Sequence, residues 1–257
     1  MTSPLYSQEL STAIKAAKAG AAKALEYYDL GIETKFKADK TIVTEADLAS
    51  EKIIIETIQK EFPDAKFLAE ESGGQIHDDS FWIIDPIDGT RSFSRGIPTW
   101  NILIAYCQNK KVKIGVSYFP LLDGLLFAEA GKGTFYNDKQ VHVSSVSPLE
   151  KAYIATGSPK YFENKQILLD LIDSSASLRM HDLTFSSFLI AQGKMDALVD
   201  RYGKTWDCAP YKVIIEEAGG RMTRLDGSEW ELDGRDGSII TNGILHDEML
   251  AIVKKYY

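Results

Sequence analysis

The stretch Phe81-Trp82-Ile83-Ile84-Asp85-Pro86-Ile87-Asp88-Gly89-Thr90 decides the fold of this chain. Its first four residues form a continuous apolar run, which predicts a short buried β-strand that stops at Asp85. Asp88 follows three residues later, and Gly89-Thr90 predicts a turn into a new segment. The sequence therefore predicts that two carboxylates meet at the end of a buried strand.

Two carboxylates this close repel each other, and both keep their charge only in contact with solvent or with a hard cation. Mg²⁺ is such a cation, because it takes oxygen ligands and keeps several waters. The backbone N–H groups of Gly89 and Thr90 lie beside the acids, where they could hold an anion carried by the cation. An acidic surface turn is the alternative, since Asp, Pro and Gly are common turn residues.

The segment Asp85-Pro86-Ile87-Asp88-Gly89-Thr90 resembles the first signature of the inositol-monophosphatase superfamily, whose members are Mg²⁺-dependent and often lithium-sensitive phosphatases. Three other segments resemble further motifs of the same superfamily. They are Val43-Thr44-Glu45-Ala46-Asp47, Glu70-Glu71-Ser72 and Trp206-Asp207-Cys208-Ala209-Pro210. The resemblance implies a layered α/β sandwich (αβαβα) with two subdomains, and it implies a homodimer.

Each of these acids also has an ordinary structural explanation. Thr44 is a plausible helix N-cap, so Asp47 could simply complement the helix dipole. Glu70 and Glu71 precede two glycines and could belong to a solvated loop, and Asp207 could be an N-cap. The resemblance favours the functional interpretation of all of them.

The resemblance also implies how the acids are used. The implied metal ligands are Glu70, Asp85, the backbone carbonyl of Ile87, Asp88 and Asp207. Because four acids within a few ångströms need more than one divalent cation, we expect two or three Mg²⁺ ions. Such ions activate a bound water and neutralise charge during an in-line displacement at phosphorus. No covalent phospho-enzyme is expected.

The catalytic and phosphate-binding residues follow from the same resemblance. Asp47 and Thr90 would orient the attacking water, and Glu70 would take part in catalysis as well as in metal binding. The amides of Gly89 and Thr90 would hold the phosphate.

The candidate substrate contacts are Asp200 and Arg91. Asp200 stands where relatives carry an acid that binds a hydroxyl or amine, although it could equally be a solvated strand end. The residues around Arg91 and Asp200 look closer to the histidinol-phosphatase branch than to typical inositol monophosphatases. However, Arg179–Ser186 replaces the Gly-Ser/Thr-rich substrate loop expected in both groups, and His181 within it is only a minor candidate.

The resemblance therefore implies a Mg²⁺-dependent phosphomonoesterase for a small phosphorylated metabolite, with inositol monophosphate or L-histidinol phosphate as the first choice. Alternatives within the superfamily are a fructose-1,6-bisphosphatase and a 3′-nucleotidase acting on 3′-phosphoadenosine 5′-phosphate. A catalytically inactive metal-binding relative is the alternative from another class.

Composition limits the remaining possibilities. The chain has 257 residues and a net charge of −8, which argues against nucleic-acid binding. The start of the chain lacks the pattern of a signal peptide, and no apolar run is long enough to span a membrane. We therefore expect a cytoplasmic protein without a membrane partner. Cys107 and Cys208 lack metal-ligand spacing and read as buried free thiols.

Periodicity predicts two halves, an α+β domain (1–146) with the Glu-Glu-Ser and Asp-Pro-Ile-Asp-Gly-Thr motifs and an α/β domain (147–257) with the Trp-Asp motif. An antiparallel meander is expected over 101–128, with a further strand after 131. The other predicted strands cover 67–69, 152–156 and 197–199. Predicted helices cover about 8–30, 44–62, 164–173, 186–193 and 211–218.

Overall fold

The computed structural model describes residues 6–28, 35–36 and 42–257. The helices are α1 (Gln8–Tyr28), α2 (Glu45–Glu61), α3 (Thr90–Phe93), α4 (Gln166–Ser174), α5 (Leu183–Ile190), α6 (Thr205–Glu217) and α7 (His246–Val253). The strands are β1 (Lys35–Phe36), β2 (Ile42–Val43), β3 (Phe67–Ala69), β4 (Gly73–Gly74), β5 (Ser80–Asp88), β6 (Asn101–Gln108), β7 (Lys111–Phe119), β8 (Gly124–Glu129), β9 (Thr134–Tyr136), β10 (Lys139–Val141), β11 (Tyr153–Thr156), β12 (Ser177–Met180), β13 (Ala197–Asp200), β14 (Arg221–Thr223) and β15 (Ser238–Thr241). The predicted end of the first helix, at residue 30, lies outside the described residues.

Strand β5 lies inside an eight-stranded sheet with the order β10-β9-β8-β7-β6-β5-β3-β4. Strands β5 to β8 pair antiparallel in sequence, which confirms the predicted meander, whereas β3 and β5 are parallel. The apolar run of β5 is continuous because both faces of the sheet are covered. Phe81 and Ile83 pack into one core, and Trp82 and Ile84 pack into the core on the other face.

Helices α1 and α2 cover the face that carries Trp82 and Ile84. The buried side of α1 consists largely of alanines, so the two helices pack closely. At Gly20 an added Cβ atom would lie 2.6 Å from Cγ1 of Ile54 on α2. This close contact fixes α2, and α2 in turn positions Asp47.

A second, five-stranded sheet has the order β12-β11-β13-β15-β14. Helices α5 and α6 lie between the two sheets, where Phe188 and Ile214 share a core with Ala155 and Leu198. Helices α4 and α7 cover the outer face through Leu171 and other apolar residues. The layers therefore follow the order αβαβα, which confirms the predicted layered sandwich.

Helix α6 lies very close to the first sheet. An added Cβ atom at Gly115 on β7 would lie 2.1 Å from the carbonyl oxygen of Pro210, so only glycine allows this approach. The helix begins at Thr205, whereas its helical period was predicted over 211–218 with Asp207 as a possible N-cap; the N-cap is Lys204, and Asp207 lies in the first turn. Pro210 does not end the helix, because it removes only the bond to the carbonyl of Trp206, close to the helix start.

Strand β5 also differs from the prediction, because it does not stop at Asp85 but continues to Asp88. The pairing with β6 shifts register between Asp85 and Asp88, which is a bulge. Pro86 lies inside this bulge, where its missing N–H group costs no ladder hydrogen bond. The bulge keeps both acids on one strand while turning their side chains towards the same space.

Several elements near the C-terminus were not predicted, including β12, β14, β15 and α7. Helix α5 begins at Leu183 and ends at Ile190, so the predicted 186–193 was displaced by three residues. Cys107 and Cys208 are buried free thiols, as predicted. Among the described helices none is both long and apolar enough to cross a bilayer. The chain changes from the first sheet to the second between β10 and β11, and the division into domains 1–146 and 147–257 stays a prediction.

Candidate metal centre

Carboxylates from three separate parts of the chain meet at one end of the first sheet. One ligand oxygen from each of Asp85, Asp88 and Asp207 lies within 4.8 Å of the others. Glu70 directly follows β3 and its N–H donates to the carbonyl of Ile84 at 3.1 Å, which brings it beside Asp85. These four acids and Ile87 line one cavity of about 590 Å³. The structure thus brings together all five predicted metal ligands.

The acids strongly perturb one another. Burial raises the pKa of Asp85 well above its usual value, and the charges of Glu70, Asp88 and Asp207 add to the rise. Burial and the charge of Asp207 likewise raise the pKa of Asp88. The pKa of Asp207 rises to about 7, mainly through burial. Such a set of oxygen donors fits one or more hard divalent cations, which would remove the repulsion.

The bulge between Asp85 and Asp88 is held by its own hydrogen bonds. The N–H of Ile87 donates to Oδ1 of Asp85 at 3.1 Å. On the other side, the hydroxyl of Ser50 on α2 donates to the carbonyl of Pro86 at 3.0 Å. The carbonyl of Ile87 accepts a bond from Oγ1 of Thr90 at 3.1 Å and lies on the cavity wall. A carbonyl oxygen has two lone pairs, so that of Ile87 can also face a cation.

Asp47 lies behind Thr90. Its Oδ2 accepts bonds from the N–H and the hydroxyl of Thr44 at 2.7 and 2.6 Å, and the bond from the N–H is one half of a capping box at the start of α2. Its Oδ1 lies 3.4 Å from Oγ1 of Thr90, whose single proton can go either to Asp47 or to the carbonyl of Ile87. Burial raises the pKa of Asp47 to about 6, against the opposing bonds from Thr44. The buried carboxylate can therefore act on the cavity through the hydroxyl of Thr90.

Gly89 forms a tight turn that directs the start of α3 to the cavity. Its φ of +83° is in the left-handed region, and an added Cβ atom would lie 3.1 Å from the carbonyl oxygen of Thr99. Both features require glycine. Gly89, Thr90 and Arg91 all line the cavity, so the predicted phosphate-binding residues and Arg91 face the metal ligands.

The opposite wall of the cavity comes from loops that follow strands of the second sheet. Tyr161 and Tyr202 stack there with ring centroids 4.1 Å apart, flanked by Lys160 and Lys204. Lys204 also forms an ion pair with Asp236 at 2.6 Å. The wall residues are Gly157, Ser158, Lys160, Tyr161, Asp182, Leu183, Asp200, Tyr202, Gly203, Lys204 and Trp206.

Asp200, the predicted substrate contact, lies on this wall and is 5 % exposed. Its Oδ1 accepts bonds from the N–H groups of Tyr202 and Gly203 at 2.8 and 2.6 Å. Its Oδ2 lies against Gly157, where an added Cβ atom would be 1.9 Å away. Burial raises the pKa of Asp200. The acid is thus fixed by its surroundings and is not a solvated strand end.

Glu51, a buried acid on α2, was not predicted as a site residue. Its carboxylate accepts bonds from the N–H groups of Glu71 and Ser72 at 2.9 and 2.8 Å, and so holds the loop that begins with Glu70. A signal was present, because Asp47, Ser50 and Glu51 have the spacing i, i+3, i+4 of the buried face of a helix.

Other residues of the second half carried no signal. Lys160, Tyr161, Asp182 and Tyr202 lie on the wall but belong to no recognisable motif. His181 packs edge-to-face on Phe185 and lines an adjoining cavity of about 320 Å³. It does not line the cavity that holds the acids.

Known proteins match almost the whole chain. The model of the inositol monophosphatase family matches residues 5–256. A fructose-1,6-bisphosphatase/inositol-1-monophosphatase of Thermotoga maritima is 36 % identical over 216 residues, which cover 84 % of each chain. A histidinol-phosphatase of Mycobacterium tuberculosis is 35 % identical over 231 residues, covering 86 % of this chain and 87 % of the relative. The solved structure of a Thermotoga maritima IMPase is 31 % identical, with a TM-score of 0.90 over 97 % of this chain and 98 % of the other.

Proposed function

Because this chain belongs to the inositol monophosphatase family of metal-dependent phosphatases, we propose that it is a Mg²⁺-dependent phosphomonoesterase for a small phosphorylated metabolite. The first candidate substrates are inositol monophosphate and L-histidinol phosphate. The observation that carries the proposal is the meeting of Asp85, Asp88 and Asp207, whose ligand oxygens lie within 4.8 Å of one another. Asp207 is separated from the other two by more than a hundred residues, so the fold itself gathers them.

Glu70, Asp85, Asp88, Asp207 and the carbonyl of Ile87 would hold two or three Mg²⁺ ions. When bound, the ions supply a water of lowered pKa and neutralise charge on the phosphate. The bulge in β5 keeps the ligands in place, because bonds from Ile87 and Ser50 fix its backbone. Glu51 does the same for the loop that carries Glu70.

Thr90 and Asp47 would orient the attacking water and receive its proton. A hydroxyl donates one hydrogen and accepts others, so Thr90 can donate to Asp47 while accepting a hydrogen from a water in the cavity. The raised pKa of Asp47, about 6, makes its carboxylate a better base than an ordinary aspartate. The amides of Gly89 and Thr90 would hold the phosphate next to this water.

Asp200 would contact the alcohol part of the substrate. Its Oδ1 is occupied by the amides of Tyr202 and Gly203, so Oδ2 is left for the ligand. A buried carboxylate oxygen binds a hydroxyl or, more strongly, an ammonium group. A second acid, Asp182, lies on the same wall and adds to the negative charge. This chemistry supports L-histidinol phosphate, which carries an amine, and it supports a polyol phosphate less strongly.

A second candidate substrate is fructose 1,6-bisphosphate. The cavity of about 590 Å³ is large for a single phosphate, and Lys160 and Arg91 lie on its wall as possible contacts for a second one. The name of the Thermotoga maritima relative includes this activity. A 3′-nucleotidase and an inactive metal-binding relative are further alternatives. Lithium sensitivity, a homodimer and a cytoplasmic location stay predictions.

One assay tests the proposal. Phosphate release is measured in parallel from inositol 1-phosphate, L-histidinol phosphate, fructose 1,6-bisphosphate and 3′-phosphoadenosine 5′-phosphate, with Mg²⁺ and with excess chelator. We expect turnover that needs Mg²⁺, with the largest kcat/KM for one of the first two substrates. A tenfold preference for either of the others, about 1.4 kcal/mol in transition-state binding, would reverse the ranking.

Matched variants separate loss of function from loss of structure. Asp85→Asn and Asp88→Asn should each abolish turnover while the circular dichroism spectrum stays that of the wild type. Asp78→Asn is the control, because Asp78 is exposed and pairs with Lys110 far from the cluster. Full activity in both cluster variants would refute the proposal. No release from any substrate by the folded, Mg²⁺-loaded wild type would favour an inactive relative.

A further inference from the structure

Thr184 contacts one of the predicted metal ligands from outside the cluster. It is the second residue of α5 and is 1 % exposed. Its hydroxyl forms a hydrogen bond with Oδ2 of Asp88. The contact joins residues 96 positions apart in the chain, so the packing of α5 against the first sheet creates it.

A buried hydrogen-bond network continues from Thr184. Its Oγ1 lies 3.3 Å from Oδ1 of Asn101, and Nδ2 of Asn101 donates to Oγ of Ser117 at 3.0 Å. Oγ of Ser117 lies 2.8 Å from the hydroxyl of Tyr211. Thr184, Asn101, Ser117 and Tyr211 are all buried. Each member is therefore held by its neighbours, away from exchange with water.

Two members of this network lie on segments next to the predicted metal ligands Asp88 and Asp207. Asn101 is the partner of Asp88 in the pairing of β5 with β6. Tyr211 lies on α6 four residues after Asp207, which places both on one face of that helix. The network thus connects the segment that carries Asp88 with the helix that carries Asp207.

We propose that Thr184 is a positioning residue that holds the carboxylate of Asp88 in the orientation needed to bind the cation. A hydroxyl has a single proton, and a carboxylate is a stronger acceptor than an amide oxygen, so Thr184 donates to Asp88. The bond takes one lone-pair direction of Oδ2 and leaves Oδ1 for the cation. Second-layer partners of this kind orient metal ligands in many proteins. This proposal depends on the proposed function in one respect, because both take Mg²⁺ to be the ion that binds.

Burial alone does not explain the bond. Thr156 and Ser186 also have buried hydroxyls, and among the described residues neither has a hydrogen-bond partner. Ser186 lies on the same helix, two residues after Thr184. The fold therefore tolerates unpaired hydroxyls in this region, whereas the hydroxyl of Thr184 is directed at a predicted ligand.

The test compares Thr184→Val, which keeps the shape and removes the donor, with Thr184→Ser, which keeps the hydroxyl. Thr184→Ala is added so that a packing defect peculiar to valine does not decide the result. Thr156→Val is the matched control, because it removes a buried threonine hydroxyl that has no partner. Isothermal titration calorimetry of the full chain with Mg²⁺ gives the affinity directly, and the Mg²⁺ concentration for half-maximal phosphate release is measured separately from KM.

We expect Thr184→Val and Thr184→Ala to weaken Mg²⁺ binding by about tenfold or more, the usual effect of losing such a partner. Thr184→Ser and Thr156→Val should bind as the wild type does, and KM at saturating Mg²⁺ should not change. Wild-type affinity in Thr184→Val, or an equal loss in Thr156→Val, would overturn the inference, and so would a wild type that binds no Mg²⁺. A wild type that binds Mg²⁺ but releases no phosphate would refute the proposed function and leave this inference standing.

Discussion

Replacing Asp207 by asparagine should stabilise the metal-free protein and remove its response to Mg²⁺. The pKa of Asp207 is about 7 in the folded chain, mainly through burial, against 3.8 for an ordinary aspartate. A folded-state pKa above the unfolded value means that the folded protein binds the proton more tightly. Stability is therefore lost as pH rises from about 4 to about 7, and the loss is complete above pH 7.

The size of the effect follows from the same difference. A pKa difference of about 3 corresponds to about 4 kcal/mol in the free energy of unfolding. Asp207 is only half-buried, and because solvent screens its charge, this value is an upper bound. In a chain of this length, 1 kcal/mol shifts the melting temperature by about 2–4 °C, so the variant should melt at most about 8–16 °C higher at pH 8. The advantage should shrink at pH 5. Asparagine can still accept the bond that the N–H of Lys204 makes to Asp207 at 2.9 Å.

Differential scanning calorimetry of both proteins at pH 5 and pH 8, with chelator and with Mg²⁺, is the assay. Mg²⁺ should raise the melting temperature of the wild type, because it binds only the folded state, and it should raise that of Asp207→Asn little. Asp78→Asn, whose carboxylate is exposed and whose pKa is lowered by Lys110, is the control and should melt like the wild type. An Asp207→Asn variant that is no more stable than the wild type at pH 8 without metal would refute the reasoning.

Three further predictions concern residues around the cluster and in the core. His246 is buried between the hydroxyls of Thr223 and Thr241, and burial lowers its pKa from 6.5 to about 4. The unfolded chain therefore binds a proton that the folded chain rejects, so about 3 kcal/mol of stability should be lost as pH falls from 6.5 to 4. Urea titrations should show this pH-dependent loss in the wild type and not in His246→Gln. Asp47→Asn should lower kcat by about 10²–10⁴-fold while the calorimetric Mg²⁺ affinity stays unchanged, since the proposed role of Asp47 is to take the proton and not to bind the ion. A parallel loss of affinity would contradict this. Glu51→Gln leaves one acceptor oxygen for two amides. The free energy of unfolding measured in urea should therefore fall by about 1–3 kcal/mol, and Mg²⁺ should bind more weakly. Wild-type values of both would show that the loop does not depend on Glu51.

Much of the secondary structure was predicted correctly from local sequence patterns. The start of α2 was predicted from the capping threonine Thr44, and the meander from its apolar strands. These elements obey short-range rules that a single segment displays in full. The αβαβα order came from resemblance, because no local rule states how layers stack.

The errors have local physical causes. The strand was predicted to stop at Asp85 and the helical period to cover 211–218, yet β5 passes Pro86 through a bulge and α6 includes Pro210 at the loss of one bond near its start. Strands β14 and β15 have only three and four residues, and β15 is buried throughout, so neither displays the alternation that marks a strand. The wall of the cavity escaped prediction because Tyr161 and Tyr202 meet only through the tertiary fold.

In the candidate site, too, some residues were predicted from the sequence and others were not. Asp85, Asp88 and Asp207 stood out because they lie in segments that resemble known motifs. Thr184 and Glu51 did not, since a threonine or a glutamate in a helix has many ordinary uses. Their importance appears only when distances to Asp88 and to the loop after Glu70 are known.

The cavity has two walls of different origin. Most of the metal ligands belong to strand ends of the first sheet, which are tied down by backbone and buried bonds, whereas the facing wall consists of loops after strands of the second sheet. Mutations in the loop after β11 can accumulate without disturbing the ligands, whereas the loop after β13 leads into Asp207 and is bonded to it through the N–H of Lys204. A new specificity could therefore evolve on one side of the cleft while the hydrolytic machinery on the other side is inherited unchanged.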